Sequence, residues 1–323
     1  MLDDVLAIPD HLRDALWRVE SARLDSAESV GLLVCGMGGS AIGGDLAAAA
    51  LGNRLTGPLL TMRGYELPSW VSPEWTVLCS SYSGGTEETL SCFAAGGTLG
   101  ARRIVASTGG ALVEGARDAG IPVIGLPGLL PAPRTAVAYM LVCAIEVATL
   151  AGIAPKVHDE IESAATFLSR SAEDLRARAA AIATRLGNRV PVVTGAGLTA
   201  PVARRWKTQV NENAKAQAFH SELPEANHNE ICAWAGDEFA AVLLESPDQL
   251  PRERRRFELT ADSIASTGAE VLRVEVAGET RTARLLWAMM LGDLVSLELA
   301  ATRGVDPLPV DSIEDFKAAL GRP

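Results

Sequence analysis

Val34-Cys-Gly-Met-Gly-Gly-Ser-Ala-Ile-Gly-Gly44 stands between an apolar run, residues 30–35, and an alanine-rich stretch, residues 41–51. The pattern predicts a strand, a tight turn and the start of a helix. Glycine lets a backbone approach a ligand closely, and a helix N-terminus attracts negative charge. The stretch therefore fits a phosphate site. It also fits a relaxed dinucleotide fingerprint, and a tight turn needs glycine without any ligand, so all three interpretations stay open here.

Short apolar runs alternate with helical patterns on either side of a charged middle segment, residues 153–187, which we interpret as a connection of two helical segments. Such alternation predicts parallel sheets covered on both faces by helices. We therefore expect an α/β fold of two similar units, 1–152 with a leading helix and 153–323. The predicted strands are 30–35, 58–62, 76–80, 103–106, 122–124, 190–194, 239–245 and 270–276. The predicted helices include 87–99, 111–119, 134–152, 199–217, 249–267 and 281–302.

Composition limits the classes of partner. The net charge is −11, which argues against a nucleic-acid backbone because phosphates need a basic face. The five cysteines are widely spaced and have no metal-ligand spacing, so we expect thiols in a reducing compartment and no metal. The first residues, Met-Leu-Asp-Asp, do not resemble a signal peptide, and no charge-free stretch looks membrane-spanning. We expect a cytoplasmic protein with no membrane partner.

A second loop, Cys79-Ser-Ser-Tyr-Ser-Gly-Gly-Thr-Glu-Glu-Thr89, also follows a strand and opens a helix. The hydroxyls of Ser81, Ser83 and Thr86 surround two glycines, which suits a phosphate group with several acceptor oxygens. The alternative is that Thr86 only caps the helix. A dinucleotide fold needs no such loop, and its second strand would end in an acid where this chain has Arg63, although an arginine there suits a 2′-phosphate.

A third polar segment covers residues 211–230 and is rich in amides, acids and imidazole. Glu212 lies near the end of a predicted helix, and His228 lies in a polar turn. A carboxylate can act as a base on carbon and an imidazole as an acid or base on oxygen. The alternative is an exposed helix end with solvated charges. The neighbouring asparagines favour the first interpretation, because they could order the charged groups through hydrogen bonds.

Taken together, the motifs resemble the bifunctional phosphoglucose/phosphomannose isomerase family, whose members contain two sugar-isomerase (SIS) domains. The resemblance runs from about residue 30 to the C-terminus. It rests on the order and spacing of Gly38-Gly-Ser40, Ser81-Tyr-Ser83-Gly-Gly-Thr86, Pro133-Arg134, Asn211-Glu212-Asn-Ala-Lys215 and Glu222-Leu-Pro-Glu-Ala-Asn-His228. It implies two SIS-type domains, each a three-layer α/β/α unit with a parallel sheet, and a homodimer that takes a sugar 6-phosphate.

The resemblance also implies roles for individual residues. It assigns sugar-phosphate binding to Gly39, Ser40, Ser81, Ser83 and Thr86. It assigns enediolate stabilisation and substrate binding to Arg134, proton transfer between C1 and C2 to Glu212, and ring opening to His228 and Lys317. No cofactor and no metal are implied. One departure is Gly85, where the family commonly has asparagine, and this puts phosphate affinity more in question than chemistry.

Two other classes of function stay open on the sequence. SIS domains also serve as non-catalytic sugar-phosphate sensors, but a sensor needs the serine loops without Glu212, Arg134 and His228 together. An NADP-dependent oxidoreductase is the third candidate.

Overall fold

The N-terminal half is built on a parallel sheet with the strand order β2-β1-β3-β4-β5. This description comes from a computed structural model that covers residues 1–321; the last two residues of the predicted C-terminal unit, 322 and 323, lie outside the described residues. The strands are β1 (Leu32–Cys35), β2 (Leu59–Met62), β3 (Thr76–Ser80), β4 (Arg102–Ser107) and β5 (Val123–Gly125). Cys35 pairs with Cys79 in the register of β1 and β3, so the two predicted ligand loops leave the sheet side by side.

Helices cover both faces of this first sheet. They are α1 (Leu2–Leu6), α2 (Ile8–Ser21), α3 (Gly38–Leu51), α4 (Glu87–Leu99), α5 (Gly110–Asp118) and α6 (Val137–Leu150). One buried cluster includes residues of β1, α3 and α6, and a second includes residues of β3, α4 and α5. Glycine lets α3 lie directly on α6, because a Cβ on Gly43 would stand 2.5 Å from the backbone carbon of Met140.

The C-terminal half repeats this plan with the strand order β7-β6-β8-β9. Its strands are β6 (Val190–Gly195), β7 (Phe219–Glu222), β8 (Phe239–Glu245) and β9 (Glu270–Glu275). Its helices are α7 (His158–Leu186), α8 (Ala200–Asn213), α9 (Pro251–Ala265), α10 (Arg281–Arg303) and α11 (Asp311–Leu320). The predicted α/β class, with two units that each carry a parallel sheet flanked by helices, is therefore confirmed.

Three local predictions were wrong. Residues 158–186 form one continuous helix and not two connecting segments, and α7 contributes Ile161, Leu168 and Leu175 to the core. Strand β7 was missed, because three of its four residues are exposed at the sheet edge and its sequence has no apolar run. The helix that carries Glu212 ends at Asn213 and not at residue 217.

Two helical stretches, Pro133–Leu150 and Arg281–Arg303, are long and apolar enough to cross a membrane by length and composition. In the fold, 78% of each apolar window is buried against the rest of the protein. Helix α10 packs between α7 and α8 and also touches α3, so it belongs to the core that joins the two halves. Its apolar composition is explained by this burial.

Candidate active site

The hydroxyls of the two N-terminal loops come together at the carboxyl ends of β1 and β3. The hydroxyls of Ser81 and Thr86 are hydrogen-bonded at 2.9 Å, and the Gly84 N–H donates to Ser81 Oγ at 3.1 Å. Ser40 at the start of α3 accepts a hydrogen bond from the Tyr82 N–H at 3.1 Å, which ties the first loop to the second. Ser83 is exposed at the mouth of the loop. The arrangement leaves neutral hydroxyls and two helix N-termini beside each other, as an anion site requires.

The structure does not support the alternative in which Thr86 serves only as a helix cap. Thr86 occupies the N-cap position of α4, but its side chain makes no capping hydrogen bond there and bonds Ser81 instead. Glycine is required at position 84, where φ is +69° and a Cβ would lie 1.7 Å from the Gly109 carbonyl oxygen. The loop is therefore shaped by its own hydroxyls and glycines more than by the cap of the helix.

Arg134 lies in a short 3-10 turn, Pro133–Ala136, between β5 and α6, and its side chain is buried. Its Nε donates to Asn213 Oδ1 at 2.7 Å, and its Nη2 donates to the carbonyls of Pro307 and Leu308 at 2.6 and 3.0 Å. Its Nη1 donates to Glu212 Oε2 at 3.3 Å. Burial lowers the pKa of Arg134, and the Glu212 carboxylate acts in the opposite direction. A guanidinium nonetheless stays charged at neutral pH.

Glycine at position 39 brings the first hydroxyl loop against Arg134. A Cβ at this position would stand 3.1 Å from the Arg134 Cα and 3.1 Å from the Pro133 carbonyl oxygen. The first turn of α3 therefore rests directly on the Pro133–Arg134 backbone. The contacts thus link five of the predicted residues into one group: Gly39, Ser40, Ser81, Thr86 and Arg134.

Glu212 reaches this group of residues from the other half of the chain. It lies one residue before the end of α8, and its carboxylate stays partly open to solvent while it contacts Arg134. The Lys215 ammonium donates to the Glu212 carbonyl at 2.5 Å and to the Pro307 carbonyl at 3.3 Å. A partly exposed carboxylate next to a fixed cation can take a proton from carbon while the cation stabilises the resulting oxyanion.

Within one chain, His228 lies far from Glu212. Helix α8 starts at the carboxyl end of β6 and runs back along the sheet, so Glu212 lies near the amino ends of the strands. His228 follows the carboxyl end of β7 in an exposed 3-10 turn. The length of α8 separates these two edges by about 18 Å at 1.5 Å per residue. One chain therefore does not bring His228 to its own Glu212.

Lys317 is exposed on α11, a helix that buries none of its residues. The segment before α11 contacts the site, because Pro307 and Leu308 accept hydrogen bonds from Arg134. Lys317 thus belongs to an element tethered near Arg134, while its own side chain extends into solvent.

Two residues near the site had no role assigned from the sequence alone. Asn213 was expected only in general terms, as one of the asparagines that could order the charged groups of residues 211–230, and in the structure it bonds Arg134 instead. Lys215 was quoted in a motif without a role. Its φ of +51° is uncommon for a residue other than glycine, and its contacts with Glu212 and Pro307 account for its position. Among residues 1–321, no group of three His, Cys, Asp or Glu side chains is placed to hold a metal ion.

Comparison with known proteins identifies relatives along almost the whole chain. Residues 176–320 match the family described as the bacterial phospho-glucose isomerase C-terminal SIS domain. The bifunctional phosphoglucose/phosphomannose isomerase of Aquifex aeolicus is 35% identical over 295 residues, which cover 90% of each chain. The protein of the same name from Caldicellulosiruptor bescii is 33% identical over 339 residues, covering 99% of this chain and 98% of the relative.

Solved structures share the fold at lower sequence identity. The C-terminal domain of glucosamine-fructose-6-phosphate aminotransferase from Francisella tularensis superimposes with a TM-score of 0.74 at 14% identity. The match covers 96% of this chain and 98% of that domain. At this identity the likeness extends to the fold alone.

Proposed function

This chain belongs to the bifunctional phosphoglucose/phosphomannose isomerase family, and from that membership we propose that it interconverts glucose 6-phosphate and mannose 6-phosphate with fructose 6-phosphate. The observation that carries the proposal is the contact between Arg134 and Glu212 beside the hydroxyl loops. That contact joins a cation and a carboxylate from different halves of the chain. Binding of a phosphate alone would not require it.

The mechanism follows from the chemistry of the aldose–ketose pair. The substrate phosphate binds at Ser40, Ser81, Ser83 and Thr86, and this remote binding positions the sugar carbons. The Glu212 carboxylate then removes the proton from C2 of the aldose and returns it at C1, while the proton of the C2 hydroxyl moves to the C1 oxygen. A positioned general base of this kind contributes ~10²–10⁴ to the rate.

Arg134 stabilises the negative charge of the cis-enediolate. Its guanidinium has five N–H groups, and four of them are directed to Asn213, Glu212 and the two carbonyls at 307 and 308. The fifth lies on Nη1, next to the Glu212 carboxylate. A single preorganised donor is worth ~10²–10³ in rate. Glucose and mannose 6-phosphates differ only at C2, which is planar in the enediol, so one base can serve both.

The two rival classes fit less well. A sensor of sugar phosphates would use the hydroxyl loops but would have no need of Glu212 held against a buried arginine. An NADP enzyme would need Arg63 free for a 2′-phosphate, but Arg63 forms an ion pair with Asp45 of α3. The second ligand loop also has no counterpart in a dinucleotide site.

A homodimer is part of the proposal. Glu212 lies near the amino ends of the strands of the second sheet, and His228 lies beyond their carboxyl ends. His228 can therefore take part in ring opening only at the site of a second copy. Lys317, on the exposed α11, is the second ring-opening residue of the proposal. We divide the chain into SIS domains at residues 1–152 and 153–323, and we place the enzyme in the cytoplasm, with no cofactor or metal and no nucleic-acid or membrane partner.

The test is turnover of fructose 6-phosphate in D₂O with no added cofactor, followed by NMR. We expect glucose and mannose 6-phosphates to appear, both with deuterium at C2, because the enediol exchanges its proton with solvent through Glu212. Formation of neither aldose by the folded protein would refute the proposal. Products without deuterium at C2 would refute a proton-exchanging enediol route.

A further inference from the structure

Behind Arg134 lies a closed ring of buried hydrogen bonds. Arg134 Nε donates to Asn213 Oδ1 at 2.7 Å, and Asn213 Nδ2 donates to Ser296 Oγ at 2.9 Å. Ser296 Oγ donates to the Asp293 carbonyl at 2.6 Å. The Asp293 carboxylate accepts two bonds from Arg205, at 2.9 and 2.6 Å, and Arg205 Nη2 donates at 3.1 Å to the Arg134 carbonyl. The five residues, which we call the buried ring, are each at most 3% exposed.

The ring crosses the interface between the two halves. Arg134 belongs to the N-terminal half, Arg205 and Asn213 to α8, and Asp293 and Ser296 to α10. Its geometry depends on a close approach of those two helices at Gly292, where a Cβ would stand 2.1 Å from the ring of Trp206. The Trp206 indole N–H also donates to the Ala288 carbonyl at 2.8 Å. These contacts fix the register of α8 on α10. Arg205 is the neighbour of Trp206 in the sequence, and Asp293 is the neighbour of Gly292, so both lie at this crossing.

Stability alone is a poor explanation for this arrangement. Burial raises the pKa of the Asp293 carboxyl, and the Arg205 guanidinium opposes that shift. Removing such a pair of charges from water costs about as much as their attraction returns, so apolar residues of the same size would hold the helices equally well. What apolar residues cannot do is fix the direction of a guanidinium.

We propose that the buried ring positions Arg134 for oxyanion stabilisation, so that Asn213, Arg205 and Asp293 are positioning residues of the reaction. The inference rests on the proposed function. Asn213 fixes the guanidinium plane through Nε, and Arg205 fixes the Arg134 backbone through its carbonyl. With Nη2 directed to two carbonyls, the two Nη1 donors remain: one bonds the Glu212 carboxylate, and the other is left for the substrate oxyanion.

The direction of each bond makes Asn213 specific. Its amide accepts from Arg134 on one side and donates to Ser296 on the other, so both atoms are committed. Aspartate would fit the same volume but would lack the donor and would place a second carboxylate on the guanidinium. The chemistry of the ring therefore calls for an amide at position 213.

The experiment is a double-mutant cycle on the full-length protein with fructose 6-phosphate as substrate. Asn213→Ala should lower kcat by about 10- to 100-fold with KM changed less than about twofold, because the guanidinium loses its orientation but the phosphate loops stay intact. Ser296→Ala, a milder change one bond further away, should lower kcat by about threefold in the same direction. In an Arg134→Lys background, which lacks the Nε bond, Asn213→Ala should change kcat by less than about twofold.

Thr282→Val serves as the matched control. Thr282 is also buried in α10 and donates to Glu160 at 2.5 Å, but it lies outside the ring. This variant should lose stability and keep its kcat. Absence of turnover by the wild-type protein would refute the proposed function itself. Normal wild-type turnover, with an Asn213→Ala effect that persists at full size in the Arg134→Lys background, would refute the positioning role and leave the proposed function standing.

Discussion

Gly39→Ala tests how closely the phosphate loops and Arg134 are coupled. The new Cβ would stand 3.1 Å from the Arg134 Cα, 3.1 Å from the Pro133 oxygen and 3.3 Å from the Arg134 nitrogen, whereas ordinary contact begins at 3.4 Å. The shortfall is 3.4 − 3.1 = 0.3 Å. All three neighbours are backbone atoms, so the α3 turn and the Arg134 turn must move apart. A displacement of 1 Å can cost ~10²-fold in rate, so we expect a loss in kcat of roughly 5-fold.

The assay compares kcat and KM for fructose 6-phosphate with the midpoint of urea unfolding. Overpacking at Gly39 should also cost about 1 kcal/mol of stability. Gly64→Ala is the matched control, because φ of Gly64 lies outside the left-handed region and a Cβ there would have nothing within 4 Å, so its kinetics should match wild type. If Gly39→Ala retained wild-type kcat while losing stability, the contact would be mere packing and the proposed coupling to Arg134 would be wrong.

Four further outcomes are expected. Ser83→Ala combined with Thr86→Ala should raise KM at least 10-fold if these hydroxyls bind the phosphate, and unchanged KM in steady-state assays would remove them from the site. Glu212→Gln should lower kcat by ~10² or more with sugar-phosphate binding nearly unchanged by calorimetry, and near-normal turnover would eliminate Glu212 as the base. Activity should survive exhaustive EDTA treatment. Loss of activity with EDTA that Zn²⁺ restores would contradict a metal-free route. Burial raises the pKa of Glu146 above its ordinary 4.5, so its ionisation disfavours the folded state at neutral pH. Glu146→Gln should therefore stabilise the protein in urea unfolding at pH 8, and the gain should fall away near pH 4, where the carboxyl is protonated in both states. A gain that stayed constant with pH would contradict this account.

Much of the fold could be predicted because its local patterns are strong. The apolar runs of β1, β3 and β8 are bounded by glycine or serine turns, and the sequence placed each of them to within two residues. The pattern fails where burial is one-sided. In α7, Ile161, Leu168 and Leu175 recur at helical spacing, but because of the many charged residues between them the segment was interpreted as two connecting helices and not as one helix of the core.

The site, too, has parts that local sequence patterns predict and parts that they do not. The hydroxyl loops follow from strand-turn-helix patterns, because parallel strands bring their carboxyl ends to one edge. The contact between Arg134 and Glu212 joins residues 78 positions apart, and no local rule specifies it. The resemblance to a known family assigned a role to each residue but did not predict their contact. Ser296 and Asp293 lie further still from Arg134, inside an apolar helix where nothing in the sequence marks them as belonging to a site.

Because both halves of the chain contribute residues to the site, a truncated gene would encode only part of it. A gene shortened to the first 152 codons would encode Arg134 and the hydroxyl loops but would lack Glu212, Asn213 and the carbonyls at 307 and 308. Such a product would retain the loops proposed to bind the phosphate and lose the proposed base. It would resemble a receptor for the substrate more than an enzyme. It would also expose the apolar surface that α7 and α10 cover in the full chain, so its ligand binding would depend on whether the fragment folds.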